Sequence, residues 1–121
     1  MKAARLVAPA TFEFIDLPDP VPSDGQTKIK IEAVSVCGSD IHGTFHADLP
    51  EESYPMAPGL GCHEIAGTVV ESRTNEVKEG QRAIILPTRG SGGLAEYMVQ
   101  TPDRILPVPD WGPIDEWVMC Q

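Results

Sequence analysis

The sequence predicts a mainly β fold in which about seven short strands form an irregular, closed or nearly closed barrel. Two observations lead to this prediction. The 121 residues include 12 prolines and 11 glycines, a composition that favours short strands and turns over long helices. Apolar and polar residues also alternate with the period of two that is typical of half-buried strands. A chain of this length forms one domain, which buries roughly two-thirds of the surface that the unfolded chain exposes.

The first three strands are predicted over residues 2–8, 11–17 and 27–36. The first two lie on either side of Pro9, and their spacing predicts an antiparallel hairpin or meander. The third strand has the clearest period of two in the chain. In this strand Ile29 and Ile31 face the core and the charged residues between them face solvent, so we expect a half-buried antiparallel strand.

The second half of the chain contains four more predicted strands and the start of a helix. Pro113 suits the first position of a helix because it lacks a backbone N–H. Ile114, Trp117 and Val118 then fall on one helical face. We expect residues 113–121 to form the first turns of a helix that continues beyond Gln121. The four strands are predicted at residues 65–72, 82–86, 94–100 and 104–108.

The overall composition excludes several classes of function. Nine basic and 18 acidic residues give a net charge of −9, whereas nucleic-acid binding depends largely on Lys and Arg. No apolar run approaches the roughly 20 residues needed to span a bilayer, so we expect no membrane association. The N-terminus has no apolar stretch of signal-peptide length, and three cysteines are too few for a disulfide framework. We therefore expect a cytoplasmic protein.

The residues that can carry chemistry are concentrated between positions 36 and 67. This stretch contains all three histidines and two of the three cysteines, and its Glu64 directly follows a histidine. Strand patterns on both sides place the stretch on loops that a β scaffold holds, where functional residues are common. Thiolate, imidazole and carboxylate are the ligands of zinc, and a catalytic zinc needs only three of them plus an open position. The sequence thus indicates a metal site at a loop edge.

Four motifs, in the same order along the chain, resemble those of one enzyme family. They are CGSDIH at residues 37–42, PGLGCHEIAGTV at 58–69, GQR at 80–82 and GLAEY at 93–97. They are similar to motifs in the N-terminal, GroES-like domain of zinc-dependent alcohol dehydrogenases, in the medium-chain dehydrogenase/reductase superfamily. The resemblance implies a GroES-like, partly open β-barrel with short helical turns over residues 1–112. Residues 113–121 would begin a helix leading to a Rossmann domain that binds NAD or NADP.

The resemblance also assigns candidate metal ligands. Cys37 occupies the position of the family's first zinc ligand, and His63 occupies the position of the second. Glu64 matches a carboxylate that lies beside the metal and binds it directly in some members. Gln121 falls at the position of the third ligand, where the family has Cys or an acidic residue. From the residues alone, Cys37 could instead be a small buried apolar residue.

Three more residues receive roles from the resemblance. Asp40 matches a carboxylate that orients a metal ligand. Ser39 and His42 match positions that pass the proton of the substrate hydroxyl to solvent, work for which an imidazole is suited. A purely structural alternative is that Ser39 and Asp40 only cap the turn after the third strand. In the same way, His42 could be an exposed loop residue, and we assign no role to His46.

The chain also departs from the family pattern. Cys62 stands where the family usually has glycine, and Gln81 stands where it usually has aspartate. The four-cysteine structural zinc lobe of many members is absent. We expect Cys62 to be structural, because an extended segment would point its neighbour His63 towards the metal. Without zinc, Cys37 and Cys62 become candidates for a disulfide if their Cα atoms lie within about 7 Å.

The implied function is oxidation of a small alcohol, polyol or sugar, with hydride transfer to NAD or NADP and zinc as the bound metal. The implied assembly is a homo-oligomer of the full-length enzyme. The alternative is a free-standing GroES-like module that binds metal or forms oligomers without catalysis. Residues 90–93 are rich in glycine but lead into a predicted strand, whereas dinucleotide sites place a helix after such a turn. We therefore expect residues 1–121 alone to be inactive.

Overall fold

The structure is a computed structural model that describes residues Met1–Gln121, and it contains seven strands in two antiparallel sheets. One sheet pairs β1 with β2, which confirms the predicted hairpin. The other has the strand order β6-β3-β4-β5-β7. The strands are β1 (Lys2–Ala8), β2 (Thr11–Asp16), β3 (Thr27–Ser35), β4 (Glu64–Ser72), β5 (Arg82–Ile85), β6 (Tyr97–Gln100) and β7 (Ile105–Pro107).

The helical elements are all short. Helix α1 (Gly38–Asp40) continues into a wider π-helical turn, Ile41–Phe45. Helix α2 (Ile114–Trp117) begins one residue after the predicted position, because Pro113 still has an extended backbone with ψ of 145°. None of the helices has the length and apolar character needed to cross a membrane. Single 3₁₀ turns occupy Glu51–Ser53, Pro102–Arg104 and Val118–Cys120.

The predicted mainly β fold is confirmed, and its sheets are open. No ladder joins the edge strands β6 and β7 to close the large sheet into a barrel. The second edge of β1 instead bonds to loops. Ala4 N–H donates to the carbonyl of Leu94 at 2.8 Å, and Gly59 N–H donates to the carbonyl of Ala4 at 2.8 Å. β6 begins later than predicted because the residues before Tyr97 bond to β1, with an isolated bridge between Ala3 and Ala95.

The apolar core lies on the inner face of the large sheet. Ile29 on β3, Ile65 on β4 and Ile85 on β5 are all fully buried, as the period-two pattern predicts for Ile29. Burying a side chain of this size contributes roughly 1.5–3 kcal/mol. Val118 is 3% exposed, whereas Ile114 and Trp117 on the same predicted apolar face are only half-buried. The remaining members of the core are Val69, Val77, Ala83, Met98 and Ile105.

The pairing of β3 with β4 positions the chemistry-bearing residues. The ladder runs from the pair Thr27 and Ser72 to the pair Ser35 and Glu64, with irregularities in register at two places. The end of β3 therefore lies beside the start of β4. Cys37 follows β3 by two residues and His63 immediately precedes β4, so the fold brings together two segments that are distant in sequence.

We predict that Gly67→Ala strongly destabilises the fold. A Cβ atom at Gly67 would lie 2.1 Å from the backbone carbonyl oxygen of Lys30 on the paired strand, and a backbone atom within a sheet cannot easily move away. Overpacking of this kind typically costs about 1–3 kcal/mol or more. Urea denaturation monitored by circular dichroism measures the loss. Gly43→Ala is the matched control because its Cβ meets no atom within 4 Å, and equal stability of the two variants would contradict the prediction.

Candidate metal centre

Three side chains converge where β3 ends and β4 begins. One potential ligand atom from each of Cys37, His63 and Glu64 lies within 4.8 Å of the others. Cys37 and Glu64 are half-buried, whereas His63 is exposed over 47% of its side chain. The cluster is thus held by the sheet on one side and is open to solvent on the other. These are the three residues that the sequence assigns to a metal with Gln121.

The donor set of this cluster fits zinc. A tetrahedral zinc ion with one sulfur and two nitrogen or oxygen ligands needs ligand atoms about 3.5 Å apart, as bond lengths of about 2.0–2.3 Å require. The observed separations of up to 4.8 Å come within reach of that geometry by small rotations of half-exposed side chains. Three protein ligands leave a fourth position, as in catalytic rather than structural zinc sites.

A buried carboxylate organises the backbone around the cluster. Asp40 is 4% exposed, and its two oxygens accept hydrogen bonds from the backbone N–H groups of Cys37 and Cys62, both at 2.9 Å. Oδ1 also lies 3.6 Å from Nδ1 of His63. Asp40 therefore fixes the backbone at Cys37 and at Cys62, the residue before His63. The bond to Cys37 is also the one that caps the helical turn.

Glu64 has a partner that the sequence analysis does not identify. The hydroxyl of Ser35, at the end of β3, donates a hydrogen bond to Oε2 of Glu64. Oε1 of Glu64 accepts no hydrogen bond from the protein. Ser35 belongs to none of the sequence motifs, because only the register of β3 on β4 places it next to Glu64. The contact can therefore be identified only once the pairing of the two strands is known.

The amide of Gln121 lies against the backbone at the start of β4. Its Oε1 accepts a hydrogen bond from the N–H of Ile65 at 2.9 Å. Its Nε2 donates to the carbonyl of His63 at 2.7 Å and to that of Ile85 at 3.4 Å. Gln121 thus lies next to the cluster, with its side chain bonded to backbone groups, and its role as a ligand stays a prediction.

Ser39 and His42 lie on the helical turn that follows Cys37. Both side chains are exposed, and neither forms a hydrogen bond within the protein. Ser39 belongs to α1 and His42 to the π-helical turn that continues it, so the two lie three residues apart on one short helical segment. His46, to which we assign no role, is also exposed and lies outside the cluster. The proton-relay roles of Ser39 and His42 stay predictions.

Cys62 occupies a strained and buried position. Its φ of 54° lies in the left-handed region, so the expectation of an extended backbone at this residue is wrong. The left-handed region carries no steric cost for glycine, which explains why this position suits glycine. Cys62 is 1% exposed, and burial, with the nearby Asp40 and Glu64 carboxylates, raises the pKa of its thiol to about 11. It is therefore a neutral thiol at physiological pH, which agrees with a structural role.

All three cysteines are free thiols in the structure, including Cys37 and Cys62. The structure therefore describes the reduced protein. The pairing of Cys37 with Cys62 under oxidising, metal-free conditions stays a prediction.

Comparison with known proteins gives a consistent result. The family described as alcohol dehydrogenase GroES-like domain matches residues 23–110. A zinc-type alcohol dehydrogenase-like protein of Escherichia coli strain K12, YdjJ, whose function is uncharacterized, is 41% identical over 69% of this chain and 25% of its own length. D-arabitol-phosphate dehydrogenase of Enterococcus avium is 33% identical over 88% of this chain and 30% of its own length. This chain thus spans less than a third of either relative.

A solved structure has the same fold. It is ECK1772 of Escherichia coli, an oxidoreductase/dehydrogenase of unknown specificity that is involved in membrane biogenesis. Its TM-score is 0.80 with 28% sequence identity, and the match covers 98% of this chain and 43% of that one.

We predict that Asp40→Ala destabilises the chain by about 2–4 kcal/mol. The substitution leaves two backbone N–H groups without an acceptor, and hydrogen bonds to a charged group contribute about 1.5–3 kcal/mol each. Chemical denaturation of the metal-free protein measures the change in free energy of unfolding. Asp48→Ala is the control because Asp48 is exposed and forms no hydrogen bond, so its effect should stay within about 0.5 kcal/mol. A similar, small effect of both substitutions would refute the assigned role of Asp40.

Proposed function

Because the chain belongs to the alcohol dehydrogenase GroES-like domain family, we propose that it is the zinc-bearing catalytic domain of an alcohol, polyol or sugar dehydrogenase. The observation that carries the proposal is the convergence of Cys37, His63 and Glu64 within 4.8 Å at a solvent-accessible edge. Residues 1–112 form this domain in the proposal. Residues 113–121 lead towards a Rossmann domain that binds the hydride acceptor, NAD or NADP.

Cys37, His63 and Glu64 would hold the zinc ion. When bound, zinc supplies a Lewis acid that stabilises negative charge on the oxygen of an alcohol. Asp40 keeps Cys37 and His63 in place through the backbone, and its proximity to Nδ1 of His63 favours the orientation in which Nε2 faces a metal. Gln121 remains a candidate for a variable ligand, since its amide already lies beside His63.

Ser39 and His42 would remove the proton of the substrate hydroxyl. The hydroxyl of Ser39 has no partner in the structure and is free to accept a hydrogen bond from a substrate while it donates one to His42. The exposed imidazole of His42 can then pass the proton to water, because an imidazole ring can both accept and release a proton. Both relay residues are exposed, and they follow the candidate ligand Cys37 by two and five residues.

The substrate class follows from the chemistry of the site and from the relatives. An open position next to a hydroxyl relay suits a compound that presents an alcohol group. One relative is named D-arabitol-phosphate dehydrogenase, which supports a polyol or sugar alcohol. We further propose a homo-oligomeric, cytoplasmic enzyme, in line with the family resemblance and with the few cysteines of the chain.

We predict that the 121-residue chain binds zinc weakly and that Cys37→Ala and His63→Ala each lower the affinity at least about tenfold, because each removes one of three ligands. Titration of metal-free protein with zinc, in competition with a chromophoric chelator, measures the affinity. Cys120→Ala and His46→Ala are matched controls, since both residues are exposed and lie outside the cluster. The metal assignment fails if the two ligand variants bind zinc as tightly as the two controls.

We predict that the 121-residue chain alone shows no turnover. The reason is that hydride transfer requires a nicotinamide held in line with the substrate. In a longer protein that joins this chain to a dinucleotide-binding domain, Ser39→Ala and His42→Ala should slow turnover by roughly 10²–10⁴, the usual contribution of general acid–base groups. Steady-state assays against pH, with His46→Ala as control, measure this effect. Turnover by residues 1–121 alone would overturn the proposal. Unchanged turnover of both Ser39→Ala and His42→Ala would contradict only the proton-relay roles of these two residues.

The non-catalytic alternative makes a different prediction in the same assays. A free-standing GroES-like module would bind zinc through the same three residues, but no linked dinucleotide-binding domain would make it active. Because this module has no activity, Ser39→Ala and His42→Ala would change no reaction rate. Activity of the longer protein therefore separates the two functions.

A further inference from the structure

We propose that Ser35 is a positioning residue for Glu64, and that its hydroxyl makes Glu64 a one-oxygen ligand. One carboxylate oxygen is held by Ser35, and the other is left for the metal. A one-oxygen ligand keeps a position on a four-coordinate ion open for substrate. This inference rests on the proposed function, which assigns the metal to Cys37, His63 and Glu64, and it adds a residue that no motif identifies.

The register of the two central strands places Ser35 opposite Glu64. Ser35 and Glu64 form the last pair of the β3–β4 ladder. Side chains directly opposite each other in an antiparallel pair point to the same face of the sheet, with Cβ atoms about 4.5–5.5 Å apart. The two side chains therefore start close together, so the carboxylate at the end of the glutamate side chain can reach the serine hydroxyl. The structure shows this contact as a hydrogen bond from Oγ of Ser35 to Oε2 of Glu64.

The second carboxylate oxygen of Glu64 is free to bind a metal. Oε1 of Glu64 receives no hydrogen bond, although the carboxylate is half-buried and belongs to the three-residue cluster. Carboxylates that bind metals are commonly held by a hydrogen-bond donor that fixes their orientation. The bond from Ser35 uses one lone pair of Oε2 and fixes the direction of that oxygen, whereas Oε1 keeps both of its lone pairs. The pairing therefore favours coordination through Oε1 alone.

The side chain of Ser35 can be changed without disturbing the pairing of its strand. Ser35 is half-buried at the last position of β3, and it is not part of the apolar core. Its backbone pairs with β4 whatever its side chain, so loss of the hydroxyl should leave the ladder intact. Ser35→Thr keeps the hydroxyl on a residue that strands accommodate well, and it should therefore preserve the hydrogen bond.

The test compares metal binding by Ser35→Ala, Ser35→Thr, Glu64→Ala and the double variant Ser35→Ala/Glu64→Ala, all in the 121-residue chain. Zinc affinity is measured by chelator competition, and the visible absorption of bound Co²⁺ reports the coordination number. Ser23→Ala is the matched control, because Ser23 is exposed, its hydroxyl forms no hydrogen bond, and it precedes the opposite end of β3.

We expect Ser35→Ala to weaken zinc binding about tenfold or more, as is typical when a partner of a metal ligand is removed. Its Co²⁺ bands should lose the intensity of a four-coordinate site. Ser35→Thr and Ser23→Ala should match the unchanged chain. In the Glu64→Ala background, loss of the Ser35 hydroxyl should have no further effect, since the two residues act as one unit.

Two results would overturn the inference without touching the proposed function. One is unchanged zinc affinity and Co²⁺ spectrum in Ser35→Ala. The other is an equal loss of affinity from Ser35→Ala whether or not Glu64 is present, which would mean that Ser35 acts through the strand and not through the carboxylate. The proposed function fails separately, if Cys37→Ala and His63→Ala bind zinc as tightly as the unchanged chain.

Discussion

The candidate site depends on the hydrogen bonds that the buried Asp40 carboxylate accepts from the N–H groups of Cys37 and Cys62. Asp40 and Cys62 are 22 residues apart in sequence, and a long loop lies between them. A buried charge is costly unless hydrogen bonds satisfy it, so the carboxylate is stable only while both segments stay in place. The Asp40 carboxylate thus fixes the backbone that carries the thiol of Cys37 and the backbone next to His63.

The strands supply the frame on which this bond acts. The antiparallel pairing of β3 and β4 brings the end of one strand to the start of the other, and the close approach at Gly67 fixes how tightly they pack. Side chains on rigid strand ends are held more precisely than those on free loops. The position of Glu64 on β4, beside Ser35, places its carboxylate with the same precision. His63 is exposed on one side, so the candidate centre is open to solvent.

The sequence predicts much of this arrangement, for identifiable reasons. Period-two patterns locate the strands because one face of each is buried, and the ligand types and motif spacing identify Cys37, His63 and Glu64. The contact between Ser35 and Glu64 escapes prediction because two irregularities in the β3–β4 register break the simple counting of residues. The left-handed backbone of Cys62 escapes it too, since few residues other than glycine adopt that conformation. The bonding of β1 to loops is not predicted either, and with it the sheets stay open, whereas the sequence predicts a nearly closed or partly open barrel.

We propose that one thiolate, one imidazole and one carboxylate of this chain bind zinc together. X-ray absorption spectroscopy of the zinc-loaded 121-residue chain tests this proposal, because it counts the ligand atoms around the metal. We expect a single sulfur at about 2.3 Å and nitrogen or oxygen atoms at about 2.0–2.2 Å, with an imidazole signature that His63→Ala removes. A shell without sulfur, or one with several sulfurs, would contradict the proposal.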